Sequence, residues 1–399
     1  MRAILPTSGA IVLLFAVCSA RATAQTLPSI DVRTWRPPID PEAGLLLEPA
    51  AAPGPWRYSV AVWANYAEAP IALRNSATGH VVTRPLEHAF AADLVSGVGL
   101  GDRTAVGVDI PFFLWQKGAS SLPSTIVSGG TVPKSGVGDV ALLGKVALLS
   151  NDRGGVRVGL GVSVLGGVTL PSGDRSSFMG DGSTTASLSL LGEYGLGVGA
   201  VRAAVGYKLR TEQHLWPDEP GGVTVGDEIP WSIDFVVRPK AFAPSLDTGD
   251  RQEWEAGVVG ALPARPVAPF GLGRQGASVL SPVLLAAADR IALGHYRDAY
   301  CVVGAEFGLD DAMGVPALRA IAAFGWAPRS HDRDSDGVPD DVDECPDLPE
   351  DRDGIQDEDG CPEDDADGDG VLDVQDACPL VPGEVSKDPR TNGCPPATK

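Results

Sequence analysis

What most constrains this chain is an alternation of apolar and polar residues with a period of two, which recurs along the middle of the sequence. Trp56, Tyr58, Val60, Val62, Ala64 and Tyr66 alternate with Arg57, Ser59 and Asn65. The same pattern puts Val106, Val108, Ile110, Phe112 and Leu114 on one face, and Val156, Val158, Leu160, Val162 and Val164 on another. Comparable rows run through residues 140–148, 186–194, 201–209 and 229–237. A period of two means extended strands with one apolar and one polar face. The opposite rows carry Asp139, Lys145, Arg157, Glu193, Arg202, Lys208, Asp234 and Arg238, so the polar face is charged with both signs.

The connections say what such strands build. Gly99–Arg103, Asn151–Gly155 and Gly195–Gly199 are tight turns, whereas Glu68–Pro85, Lys117–Val137, Pro171–Ser183 and Thr211–Gly226 are long loops. Short turns at one end and long loops at the other are the pattern of an outer-membrane barrel. Strands of about ten residues cross a bilayer at a tilt. Closing them satisfies every backbone group, as lipid requires. Further strands are expected at Trp254–Leu262, Ala277–Ala287, Arg297–Phe307 and Ala317–Trp326, for a total of about twelve. Between Trp56 and Ala327 no apolar run is long enough for a membrane helix. The competing fold is a soluble β-sandwich with one wet face. It leaves the loop asymmetry and the aromatic strand ends, such as Phe324 and Trp326, without a reason.

Ahead of the strands, Arg2, the apolar run Ile11–Val17 and Ala22-Thr23-Ala24 form a secretory leader, residues 1–24. Cys18 is a poor lipoprotein site after Phe15-Ala16-Val17. Residues 25–55 are Pro-rich and read as extended chain. The expected division continues with a barrel over 56–328 and a tail over 329–399.

Charge separates the tail from the rest. From His331 onward there are 23 acidic against 5 basic residues, out of totals of 52 and 31. That imbalance selects cations as partners and argues against nucleic acid. Within the tail, Asp332, Asp334, Asp336, Gly337, Val338, Asp340 and Asp343 lead into Cys345-Pro346. Asp365, Asp367, Asp369, Gly370, Val371, Asp373 and Asp376 repeat the series before Cys378-Pro379. Carboxylates at positions 1, 3, 5, 9 and 12 with Gly at 6 have the spacing of a Ca²⁺ loop. Alternate residues turn their oxygens inward, and the carbonyl of Val338 or Val371 adds a ligand. The middle unit keeps Asp351, Asp353, Gly354 and Asp357, but Pro349 and Gly360 stand at its first and last ligand places. An acidic disordered tail needs neither the glycine at position 6 nor the repeated Cys-Pro. A dockerin-like pair would need helices, which the prolines oppose.

Residues 332–395 resemble thrombospondin type-3 repeats, whose Asp-rich loops close on Cys-Pro. The resemblance implies calcium binding and pairing of neighbouring cysteines, Cys345 with Cys361 and Cys378 with Cys394. Such small repeats depend on bridges and calcium for order. Cys301 remains, and is expected as a buried free thiol. Barrel followed by repeats resembles OmpA-like outer-membrane proteins. There a peptidoglycan-binding domain usually follows; here the sequence stops at Lys399, so wall anchoring is not implied.

None of His80, His88, His214, His295 and His331 sits in a motif with a serine or acid partner, and Gly173-Asp174-Arg175 reads as a turn. Phosphate, dinucleotide and zinc signatures are missing. The sequence therefore reads as a non-enzymatic outer-membrane barrel, a pore or an anchor, carrying a calcium-binding spacer. Its partners would be outer-membrane lipid, calcium and cell-wall or envelope proteins. An exported calcium-dependent adhesion protein is the alternative, and a barrel hydrolase ranks below both. An even strand number places the tail in the periplasm, and adhesion would need it at the cell surface.

Overall fold

A computed structural model describes residues 31–396 apart from 32, 34, 75–80, 120–131, 133, 154–155, 175–177, 216–222, 248, 265–280, 295, 311, 329–337, 339, 341–342, 351–359, 363–364 and 366. Twelve long strands form one antiparallel sheet: β1 Tyr58–Arg74, β2 Val81–Gly101, β3 Thr104–Lys117, β4 Ala141–Leu149, β5 Val156–Thr169, β6 Thr185–Leu196, β7 Gly199–Leu209, β8 Glu228–Val237, β9 Gln252–Pro263, β10 Val283–Leu293, β11 Ala299–Gly308 and β12 Leu318–Trp326. Each pairs with the next, and β1 pairs with β12 from Val60↔Trp326 to Glu68↔Leu318, so the sheet closes into a barrel with no free edge.

The faces follow the alternation. Leu142, Leu190, Val205, Ile233 and Val303 point outward and are exposed. Two girdles of exposed aromatic residues flank them. Tyr66, Phe90, Trp115, Tyr207 and Phe307 ring the end with the long loops, and Tyr58, Tyr194, Phe235, Phe324 and Trp326 ring the end with the short turns. A closed barrel with an apolar band between aromatic girdles is an outer-membrane architecture, because water would not tolerate that exterior and lipid requires it.

Several details depart from the sequence reading. The β1–β2 hairpin runs on to Arg74 and Val81, so most of the loop expected over Glu68–Pro85 is strand. Its ladder is irregular between Glu68 and Ile71, where Ala69 has φ 51 and Pro70 has no N–H to donate. β10 is described from Val283, after Pro282, which has no N–H to donate; residues 277–280 of the strand expected from Ala277 lie outside the described residues. Cys301 is a half-buried free thiol on β11, not a buried one.

The largest correction concerns the Pro-rich segment. The described residues of 31–55, expected only as extended chain, lie inside the barrel and fill its lumen. The segment enters beside Asp181, in the long loop between β5 and β6, and leaves at the short-turn end, where Trp56 N–H donates to the Gly99 carbonyl at 2.8 Å. On the way Trp35, Ile39 and Leu45 pack on Ala61, Trp63, Val95, Ala286, Tyr300, Val302 and Ile321 of the inner wall. Trp35 and Trp63 rings lie 5.5 Å apart, and Trp35 Nε1 donates to the Leu45 carbonyl, folding the segment back on itself. Gly97 and Gly107 make room: a Cβ at either would strike Ile39.

Candidate functional site

The lumen is the first candidate, and its charges are matched to the plug. Arg33 Nη1 reaches Asp93 on β2 at 2.7 Å, and Arg36 Nη1 reaches Asp109 on β3 at 2.8 Å; both arginines also bind Asp31. Lower down, Lys145 on β4 pairs with Asp40 at 2.7 Å and with Glu48 at 3.5 Å. These inward groups would be costly if left unpaired in a low-dielectric interior. With the plug in place the ion pairs cross from barrel to plug.

At the bend of the plug, Glu255 on β9 accepts the successive backbone N–H groups of Leu45, Leu46 and Leu47, and Arg202 donates to its Oε1 at 2.8 Å. Consecutive N–H groups aimed at one carboxylate form an anion nest. Arg202 is held in turn by Asp234 through two bonds of 2.8 and 2.9 Å. A Cβ at Gly44 would collide with the Glu255 carboxylate. Nearby, Glu193 accepts from Ala50 N–H and from Asn151, and Arg157 joins Glu253 at 3.1 Å. Of the eight charged residues expected inside, Lys145, Arg157, Glu193, Arg202, Lys208, Asp234 and Arg238 stand in ion pairs, and the buried Asp139 carboxylate instead accepts the Gly173 and Asp181 N–H groups. What the sequence reading missed is the partner chain. Its signal was the run of Asp31, Arg33, Arg36, Asp40, Glu42 and Glu48 in a segment too regular in proline to look like a core.

Above the plug, toward the long loops, a cavity of about 280 Å³ remains open. Arg36 and Trp35 of the plug floor it, and strands β5 to β10 wall it.

The tail is the second candidate. Disulfides join Cys345 to Cys361 and Cys378 to Cys394, as the repeat resemblance implied. The carboxylates of Asp365, Asp367 and Asp369 converge, with oxygens within 4.8 Å of one another. Gly370 at position 6 has φ 86 and donates to Asp365 Oδ2, which turns the loop back. Asp367 Oδ2 and Asp376 Oδ2 are buried acceptors without hydrogen-bond partners. Acceptors left without donors among converging carboxylates suit a hard cation. Partial burial, together with the charges of Asp369, Asp376 and Asp365, pushes the Asp367 carboxyl above its ordinary value.

Asp343 and Asp376, each at position 12, share one arrangement. Each accepts from the N–H of the cysteine two residues on, at 2.7 and 2.6 Å. Gly360 and Gly393, both at positive φ, sit so close that a Cβ would strike Asp343 and Asp376 respectively. Gly360, read from the sequence as a missing ligand, thus closes the preceding unit. Val338 and Asp340 are described, and Val371 is buried within the second complete loop. Asp332, Asp334, Asp336, Asp351, Asp353 and Asp357 lie outside the described residues, as do His80, His295, His331 and Arg175. His88 lies in the outer girdle, where Nδ1 contacts Tyr66 Oη at 2.8 Å and the ring stacks with Trp115.

A family model described as thrombospondin type 3 repeat matches residues 350–385. No curated protein matches the sequence. Among solved structures, an outer-membrane channel of Pseudomonas putida F1 is similar at 11% identity and TM-score 0.48, covering 71% of this chain and 100% of that one. The NanC porin is similar at 8% identity and TM-score 0.41, covering 68% of this chain and 99% of that one. A TodX monoaromatic hydrocarbon channel variant gives 11% and 0.36, over 69% of this chain and 91% of that one. Likenesses this distant do not bear on activity.

Proposed function

We propose that the protein is an outer-membrane solute channel held shut by its own N-terminal segment, with a calcium-ordered repeat tail as a periplasmic spacer. Residues 1–24 are then the removed leader, 25–55 the plug, 56–328 the barrel and 329–399 the spacer. The observation that carries the channel reading is the plug itself. Besides the apolar packing of Trp35, Ile39 and Leu45 and the backbone bonds to Glu255, it is held to the wall by ion pairs through Arg33, Arg36, Asp40 and Glu48. Ion pairs exchange for water when a lumen hydrates, so a plug fastened this way is reversible. Bilayer recordings test it. The whole protein should show rare openings, and a variant with residues 31–53 replaced by a Gly/Ser linker should show steady, discrete conductance. Equal conductance in the two sinks the proposal.

Asp332, Asp334, Asp336, Asp340 and Asp343, and Asp365, Asp367, Asp369, Asp373 and Asp376, are the proposed calcium ligands, with the Val338 and Val371 carbonyls. The middle unit, with Asp351, Asp353 and Asp357, is the weakest. Calcium bound there neutralises the carboxylate repulsion and orders the loop. The spacer reading draws support from the topology: β1 begins and β12 ends at the short-turn end, which faces the periplasm in such barrels. Calcium-dependent adhesion would need the tail outside, and protease access to the tail on intact cells separates the two.

A further inference from the structure

The cavity above the plug has two unlike walls. Thr169 at the end of β5 and Thr185, Ser187 and Ser189 on β6 line one side with hydroxyls. Thr169 and Thr185 are partners across the ladder, and their side chains are buried in the wall, with Thr185 only 2% exposed. Among the described residues none of these four hydroxyls has a hydrogen-bond partner, so their bonding capacity is left to whatever fills the space. Opposite them Val259, Ala261 and Leu284, with Pro230 and Pro282, make an aliphatic wall.

Between the walls stand charges that cancel. Lys208 Nζ lies 3.3 Å from Glu228 and 3.7 Å from Asp181, and Arg210 lies 3.5 Å from Asp181 and 3.6 Å from Glu228. Asp31 holds both plug arginines, Arg33 and Arg36, and Asp227 takes Tyr207 Oη at 2.9 Å and the Arg210 N–H at 3.0 Å. Four cations are thus set against four carboxylates. An ion entering this space would lose its hydration and meet like charge as well as opposite charge, so the site disfavours both signs. A hydroxyl carries no net charge and both donates and accepts. It can bond to the threonine and serine row and to either member of an ion pair. The ligand that suits these walls is neutral, bears hydroxyls along its edge and has an apolar face.

We infer that the cavity above the plug is a binding site for a neutral monosaccharide. Its hydroxyls lie on the row from Thr169 to Ser189 and on the flanking ion pairs, and the C–H face of its ring lies on the Val259–Leu284 wall. A volume of about 280 Å³ lies at the small end of ligand pockets and excludes nucleotides and oligosaccharides. This inference rests on the channel reading only in making the sugar a transported solute; occupancy of the site does not require conduction.

The test titrates the full-length protein, in an amine-oxide detergent free of sugar headgroups, with glucose, galactose and mannose. Glucuronate, glucosamine and cyclohexanol serve as the anionic, cationic and single-hydroxyl controls. Binding is read by calorimetry and by tryptophan fluorescence, since Trp35 lines the cavity. The best of the three hexoses should bind at least tenfold more tightly than any control. The double variant Thr169→Val with Thr185→Val removes two hydroxyls at nearly constant shape; it should lose that preference and leave cyclohexanol binding unchanged. Cyclohexanol or either charged sugar binding as tightly as the best hexose overturns the inference without any variant. So does the lack of binding of all three hexoses by protein that still migrates as a folded barrel when unheated, or undiminished hexose affinity in the double variant. Protein that conducts but binds no hexose refutes this site alone; protein that binds a hexose but never conducts refutes the channel alone.

Discussion

Glu255→Ala is the perturbation with the largest expected effect on the plug. It removes the acceptor of three successive plug N–H groups, those of Leu45, Leu46 and Leu47, and one of the carboxylates that balance Arg202. Asp234 stays on Arg202, so the barrel wall keeps one complete pair and the loss falls mainly on the plug. Breaking a buried charge pair by deleting one partner costs about 3–5 kcal/mol. Hydrogen bonds to a charged group are worth roughly 1.5–3 kcal/mol each, so the nest alone could supply that amount. At about 1.4 kcal/mol per tenfold change, the closed-to-open ratio should fall by roughly two to three and a half powers of ten. Single-channel recording reads the ratio as open probability, and unheated electrophoresis confirms that the barrel is intact. Glu255→Gln retains one oxygen acceptor and should fall between the parent and Glu255→Ala. If Glu255→Ala leaves open probability unchanged in a folded barrel, the nest does not hold the plug.

Other perturbations separate the two parts of the molecule. Leu190 faces lipid on β6 between the girdles, and Leu190→Arg should destabilise the barrel by roughly 2–4 kcal/mol in urea unfolding from vesicles; no loss would mean the outer face is misassigned. In the tail, Asp376→Ala deletes a carboxylate with an unpartnered buried oxygen, and calorimetry should show about one calcium site lost. Each disulfide closes a short loop and should stabilise the tail by roughly 3 kcal/mol, so reduction should weaken calcium binding and leave barrel migration unchanged. The raised Asp367 carboxyl sets a sign for pH. A carboxyl whose value is higher folded than unfolded loses stability as pH rises, so the calcium-free tail should gain order by circular dichroism as pH falls through the carboxylate range. Calcium affinity should fall over the same window, because protons compete for the ligands.

The barrel was legible in the sequence because its physics is local. Each strand carries its own alternation, and rows such as Val156–Val164 or Ile229–Val237 assign inside and outside without knowledge of their neighbours. The strand count and the cysteine pairing also stand. The register of β10 was harder to read, since Ala286, Ala287 and Ala288 are small enough for either face. Least legible was the plug. A segment stabilised by pairs such as Arg33–Asp93 and Lys145–Asp40, 60 and 105 residues apart, has no period of its own. Arg36-Pro37-Pro38 reads locally as extended chain, and nothing local says that a lumen will enclose it. Gly360 shows the same limit in the tail: its contact with Asp343 is invisible to a motif that counts ligands.

The central claim, that this segment moves to open the barrel, is tested most directly by fixing it in place. A Cβ at Gly161 on β5 would fall 2.7 Å from the Ala50 Cβ, close enough for a disulfide after a small adjustment. In a Cys301→Ser background, Ala50→Cys with Gly161→Cys should give no openings when oxidised and regain them on adding reductant. The Cys301→Ser parent, whose tail bridges are reduced under the same conditions, should be unaffected. Openings of undiminished size and frequency with the bridge intact would contradict a moving plug.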